Sequence, residues 1–124
     1  MTDNSERQPA IRTVLLPRDT NANGTIFGGV ILSHIDLAGA VEARRHTQEK
    51  VVTVAMKEVI FKHPVRVGEV VSFYTSTTKL GRTSISVHVE VESERGGLTI
   101  PVTAADLTFV AVDSEGQPTP LVPE

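Results

Sequence analysis

Hydrophobic and polar residues alternate strictly between residues 84 and 92. This period of two predicts a β-strand with one buried face. Its apolar side carries Ile85, Val87, Val89 and Val91. Segments rich in β-branched residues predict four further strands, at 11–16, 51–61, 70–80 and 100–112.

A different pattern occupies residues 30–43, directly after Gly28 and Gly29. Apolar residues recur there at helical spacing, which predicts a helix of about five turns. The helix is apolar around most of its circumference, and helices of that kind are usually buried.

The order of these elements, one strand, a buried helix and then four strands, predicts an α+β fold. Because strands joined by tight turns pair antiparallel, the last four are expected to be successive neighbours. The result is one curved antiparallel sheet of about five strands around a single central helix. Residues 1–9 are expected to be disordered, and residues 10–124 to form one domain. Exposed strand edges favour a homodimer.

The composition excludes several classes of function. A formal net charge of −3 argues against a broad nucleic-acid or anionic-membrane surface. The chain has no cysteine, so a thiolate nucleophile and a thiolate metal site are excluded. The four histidines lack ligand spacing, and no metal site is expected. No apolar run is long enough to span a bilayer and no signal-peptide core is present, which predicts a cytoplasmic protein.

Gly28 and Gly29 stand at the predicted start of the helix. The first N–H groups of a helix have no partner within it and lie at the positive end of its dipole. Such an end can hold a phosphate or polarise a carbonyl during acyl transfer. The alternative is that the two glycines only permit a tight turn into the helix.

Asp36 lies between Ile35 and Leu37 in the most apolar part of the predicted helix. Burying a lone carboxylate is costly, so Asp36 must be paired, hydrogen-bonded or exposed in a cleft. Buried ionisable groups are frequent at functional sites. The alternative is an aspartate on a polar stripe, capped by Ser33 or by a neighbouring chain.

Gly29 and Asp36 are seven residues apart and lie on nearly the same helix face. The rise between them is about 10 Å, too far for both to contact one reacting carbon. Antiparallel helices across a dimer would bring Asp36 of one subunit to the helix start of the other. Each dimer would then hold two composite sites.

Several segments together resemble the hotdog-fold acyl-CoA thioesterases of the YciA type, which are related to the brain acyl-CoA hydrolases. The resemblance covers nearly the whole chain from Arg12 onward. Its motifs are PRDTNANGTIFGG at 17–29, DLAG at 36–39, VVTV at 51–54, PVRVG at 64–68, TSIS at 83–86 and AVD at 111–113.

The resemblance implies a hotdog fold whose subunits pair edge to edge and commonly assemble as a trimer of dimers. It implies that Asp36 is catalytic and that Asn21 acts with it from across the subunit interface. The backbone of Gly28 and Gly29 would polarise the thioester carbonyl. Thr25 departs from the family pattern, because relatives often carry an acidic or amide residue at this position.

The substrate implied is an acyl-CoA, and no cofactor is needed beyond the coenzyme A that the substrate carries. Asp36 would act as a general base on water or attack the thioester itself. A hairpin with two cations and two hydroxyls would bind the CoA: Lys79, Arg82, Thr83 and Ser84. The alternative is an ordinary solvated hairpin.

Three other functions compete with thioester hydrolysis. A hotdog dehydratase acting on acyl thioesters normally needs a histidine motif that is absent from this sequence. A non-catalytic module that binds or senses acyl-CoA would use the same pocket, but it would not need both Asp36 and Asn21. A Ser-His-Asp hydrolase is disfavoured because no GxSxG motif occurs.

Overall fold

A computed structural model describes residues 7–123 as one long helix, two short 3-10 turns and five strands. The strands are β1 (Ile11–Val14), β2 (Lys50–Lys57), β3 (Val70–Leu80), β4 (Ser84–Arg95) and β5 (Leu98–Val112). The helix α1 spans Gly28–Ala43, and the 3-10 turns span Pro17–Asp19 and Arg44–His46.

The predicted disordered segment, residues 1–9, is described only in part, because residues 1–6 lie outside the described residues. Arg7 lies against the sheet. Its guanidinium contacts Glu90 at 3.2 Å and Glu92 at 2.6 Å, and it stacks 3.8 Å from the ring centre of Tyr74.

The strands form one curved antiparallel sheet in the order β1-β3-β4-β5-β2, and the α+β prediction is confirmed. The expectation that β2 neighbours β3 is wrong, since β2 pairs with β5 at the opposite edge. The prediction that this strand continues to residue 61 is also wrong. It ends at Lys57, because Glu58 adopts a left-handed conformation with φ of 57°. Residues 58–69 then cross the sheet to β3.

One face of α1 packs on the sheet, and the predicted alternation in β4 supplies much of the surface beneath it. Ile35 and Ala38 of the helix are fully buried, as are Ile85 and its aliphatic neighbours along β4. Gly39 allows the close approach. A Cβ built there would lie 3.0 Å from Cζ of Phe109 and 3.3 Å from Cδ2 of Leu107.

The opposite face of α1 is uncovered, so the expectation of a fully buried helix holds for only one side. Leu37 is 58% exposed and Val41 is 50% exposed. Next to them, the outer edge of β2 has no partner strand within residues 7–123. The uncovered helix face and the free β2 edge therefore form one surface.

The last turn of α1 is attached to β3 through the buried carboxylate of Glu42. Thr77 Oγ1 donates to Glu42 Oε2 at 2.6 Å, and Thr75 Oγ1 donates to Oε1 at 3.3 Å. Because the hydroxyl proton of Thr77 is used in this way, Nε2 of His46 donates to Thr77 Oγ1 at 2.7 Å. Burial alone would raise the pKa of Glu42, but hydrogen bonds from Thr77, Arg45 and Thr75 outweigh it and lower the pKa below its usual range.

This network predicts a specific acid sensitivity. A carboxylate with a depressed pKa stabilises the fold above its unfolded pKa, and the contribution is lost as pH falls through the folded pKa. The free energy of unfolding should therefore fall as the pH drops below the usual pKa of a glutamate, about 4.3, and less steeply in Glu42→Gln. At pH 7 the substitution should cost about 1–3 kcal/mol. Urea denaturation at a series of pH values measures both effects.

The matched control is Glu49→Gln, since Glu49 is an exposed glutamate just beyond the helix. It should leave the pH dependence unchanged. A pH dependence in Glu42→Gln identical to that of the native protein would contradict the role given to Glu42.

Candidate active site

The carboxylate of Asp36 projects from the third turn of α1 toward β2 and is partly buried. Thr53 Oγ1 donates to its Oδ1 at 2.6 Å. The other oxygen, Oδ2, accepts no hydrogen bond from the residues that the structure describes. The alternative in which Ser33 caps Asp36 is wrong, because Ser33 donates to the carbonyl of Val30. One oxygen is therefore fixed and the other is available.

Thr53 faces the helix because it lies directly opposite Phe109 of β5, whose ring packs against α1 at Gly39. Thr53 pairs with Phe109 of β5, whereas Ala55 pairs with Thr108, so Val54 is an extra, bulged residue. The bulge lies directly after Thr53 and shifts the alternation of the residues that follow it. The sequence did not single out Thr53, because a threonine within the run VVTV is also a common strand former.

Gly28 and Gly29 begin α1, as predicted, and their N–H groups have no partner in the helix. Two exposed aromatic rings flank this helix start. A Cβ on Gly29 would lie 2.5 Å from the ring of Phe27, and one on Gly28 would lie 3.6 Å from the ring of Phe61. A side chain at position 29 would therefore require the exposed ring of Phe27 to move.

Asn21 organises the loop that leads into α1. Its Oδ1 accepts from the N–H of Asn23 at 2.8 Å and of Thr25 at 3.3 Å, and its Nδ2 donates to Thr25 Oγ1 at 3.1 Å. Thr25, the position at which the chain departs from the family pattern, is thus a direct hydrogen-bond partner of Asn21. Within the described protomer, the Asn21 side chain is hydrogen-bonded to its own loop, and no hydrogen bond joins Asn21 to Asp36.

The predicted CoA hairpin joins β3 and β4 at residues 81–83. Ser84 lies opposite Val110 of β5, and Val110 lies opposite Val52 of β2. Two strand spacings, about 10 Å, therefore separate the hairpin from the strand that carries Thr53. The hairpin and Asp36 belong to the same end of the sheet.

A cleft of about 630 Å³ opens between α1 and the start of β2. Ala40 and Arg44 line it, and they follow Asp36 at intervals of four residues on one helix face. Lys50 and Val51 line the strand side. Asp36 itself does not line the cleft, which begins one helical turn later at Ala40 and is also lined by Glu49.

The described residues also limit what else the site could be. Within 7–123, no group of three or more histidine or acidic side chains could hold a metal ion. In the same part of the chain, no helix is long and apolar enough to cross a membrane.

Comparison with known proteins gives the family. The family model described as "Thioesterase superfamily" matches residues 23–100. The acyl-CoA thioester hydrolase YciA of Salmonella typhimurium is 41% identical over 126 residues, covering 98% of this chain and 95% of that protein.

Solved structures agree with this match. A hexameric hotdog-fold thioesterase of Campylobacter jejuni is 44% identical, with a TM-score of 0.86 and coverage of 97% of this chain and 93% of that chain. An acyl-CoA hydrolase of Staphylococcus aureus, determined with butyryl coenzyme A and coenzyme A, is 29% identical, with a TM-score of 0.82 and coverage of 90% and 69%. The chain belongs to the thioesterase superfamily and has the hotdog fold.

Proposed function

We propose that this protein hydrolyses acyl-CoA thioesters to a free acid and coenzyme A, with Asp36 as the catalytic residue. The main observation in support of this role is the Asp36 carboxylate, which accepts a hydrogen bond from Thr53 at one oxygen and from no described residue at the other. Similarity to the Salmonella typhimurium acyl-CoA thioester hydrolase over 98% of the chain supports the substrate class.

Two routes are chemically balanced for this carboxylate. As a general base, Asp36 Oδ2 takes a proton from water while the water oxygen bonds to the thioester carbon. As a nucleophile, Oδ2 bonds to that carbon and gives a mixed anhydride, which water then hydrolyses. In both routes the C–S bond breaks and coenzyme A leaves as a thiolate that is then protonated. No cofactor takes part in either route.

The negative charge on the carbonyl oxygen needs donors that the same helix cannot supply. Gly29 lies seven residues before Asp36, about 10 Å along the axis. A second copy placed on the uncovered helix face and the β2 edge, with its helix antiparallel, supplies them. Gly28 and Gly29 of the partner subunit then polarise the carbonyl, and Asn21 of the partner subunit orients water or Asp36.

The exposed apolar residues around Asp36 support this dimer. Leu37 and Val41 on α1 are 58% and 50% exposed in the protomer, and Val52 and Val54 on the edge strand β2 are 40% and 55% exposed. The Campylobacter jejuni thioesterase is hexameric. We propose that three such homodimers of this chain assemble into a trimer of dimers.

In this proposal, coenzyme A binds at the end of the sheet that carries Lys79 and Arg82. Its phosphates suit Lys79 and Arg82, and the hydroxyls of Thr83 and Ser84 add hydrogen-bond donors. The pantetheine arm then leads toward Asp36. The cytoplasmic location expected from the sequence stays a prediction.

Replacing Asp36 tests the catalytic assignment. Asp36→Asn should lower kcat by about 10³-fold or more while coenzyme A still binds, because the amide neither accepts a proton nor forms an anhydride. Thiol release from acyl-CoAs of graded chain length, read with a colorimetric reagent, measures turnover, and calorimetry measures binding. The chain has no cysteine to add background.

The control is Asp106→Asn, an exposed aspartate of β5 whose partner is His88. It should turn over like the native protein. Native protein that binds coenzyme A but releases no thiol from any acyl-CoA would indicate a binding module in place of an enzyme. Near-native turnover in Asp36→Asn would remove Asp36 from the chemistry.

Thr53 is assigned as the residue that positions Asp36. Thr53→Val should lower kcat by about tenfold with little change in KM, because a hydrogen bond to a charged group is lost. Thr53→Ser keeps the hydroxyl and should recover most of the rate. Thr99→Val, at the far end of β5, controls for the threonine-to-valine change. Equal kcat values for Thr53→Val and the native protein would refute the assignment.

A further inference from the structure

The C-terminal residues 113–123 fold back onto the end of the sheet, and we name them the C-terminal strap. The reversal is encoded locally. The carboxylate of Asp113 accepts from the N–H of Glu115 at 2.9 Å and of Gln117 at 3.0 Å. Gly116 has a φ of 80°, a conformation that favours glycine, and its N–H donates to the carbonyl of Asp113 at 3.0 Å.

Leu121 connects the strap to the β3–β4 turn. Its N–H donates to the carbonyl of Arg82 at 3.0 Å, and its own carbonyl accepts from Thr47 Oγ1 at 2.5 Å. Its side chain is buried with the core, at 8% exposure. One residue thus ties the β3–β4 turn to the segment that follows α1.

The β3–β4 turn needs such an attachment because it ends an edge strand. β1 pairs with β3 only along 70–73, so the rest of β3 pairs with β4 alone. The ladder is also irregular between Thr77 and Lys79. Two further backbone hydrogen bonds support the turn: the N–H of Gly81 donates to the carbonyl of Ser84, and the N–H of Ala111 donates to the carbonyl of Thr83, both at 2.8 Å.

We propose that the C-terminal strap positions the β3–β4 turn for the phosphate-bearing end of coenzyme A, with Leu121 as the positioning residue. The inference rests on the proposed function, because that function places coenzyme A at Arg82 and Thr83. A turn that is ordered before the substrate arrives adds no ordering cost to binding. The chemical step is separate, since Asp36 is held by Thr53 on β2.

Two variants test the strap in the full-length protein and in a shortened one. Thr47→Val removes one hydrogen bond of Leu121, and deletion of residues 118–124 removes Leu121 itself. Both should raise KM for acyl-CoA and Kd for coenzyme A by about three- to tenfold, with kcat within about twofold of native. Hydrogen exchange should be faster at the amides of residues 81–84. Thr99→Val, at the opposite end of the sheet, should change none of these values.

Unchanged KM, Kd and exchange at residues 81–84 in folded Thr47→Val and deletion variants would overturn the proposal. A fall in kcat at unchanged KM would overturn it as well. If the deletion variant does not fold, Thr47→Val decides alone. If native protein releases no thiol, the proposed hydrolysis fails, while the strap is still judged by the Kd for coenzyme A.

Discussion

The structure depends on one constraint: α1 carries more apolar surface than a single five-stranded sheet can cover. One side of the helix packs so closely at Gly39 that a methyl group there would press on Phe109. The other side leaves Leu37 and Val41 in solvent. A second copy that covers this side removes apolar area from water, at roughly 25 cal/mol per Å². In the proposed dimer, the same contact that buries this face of the helix would also complete the active site.

The chemistry is divided among elements that the fold fixes independently. The Asp36 carboxylate is held by Thr53 of β2, and the Asn21 side chain by hydrogen bonds in the loop before the helix. The β3–β4 turn is held by a hydrogen bond from Leu121 of the C-terminal strap. Because these supports do not share residues, the proposed acyl-transfer site and the proposed coenzyme A site should be separable by mutation.

Much of the fold could be predicted from local pattern. The alternation in β4 and the helical period after Gly29 set most element bounds, since each needs only one buried face. The position of β2 in the sheet could not be predicted in this way, because strand pairing across the sheet depends on the connection 58–69. The end of β2 depends on a left-handed Glu58, which no glycine or proline signals. At the site, Asp36 was evident as a carboxylate in an apolar run. Thr53 could not be predicted, because its hydrogen bond to Asp36 depends on the pairing of β2 with β5 at the edge of the sheet.

Complementation between two inactive variants tests the shared site most directly. Asp36→Asn and Asn21→Ala should each be inactive as homodimers. After joint unfolding and refolding at equal concentrations, half of the dimers pair one variant with the other, and each such dimer holds one fully native site. Recovery of about a quarter of native activity is the predicted result. No recovery, with mixed dimers confirmed by mass spectrometry, would mean that Asp36 and Asn21 do not act together across the interface.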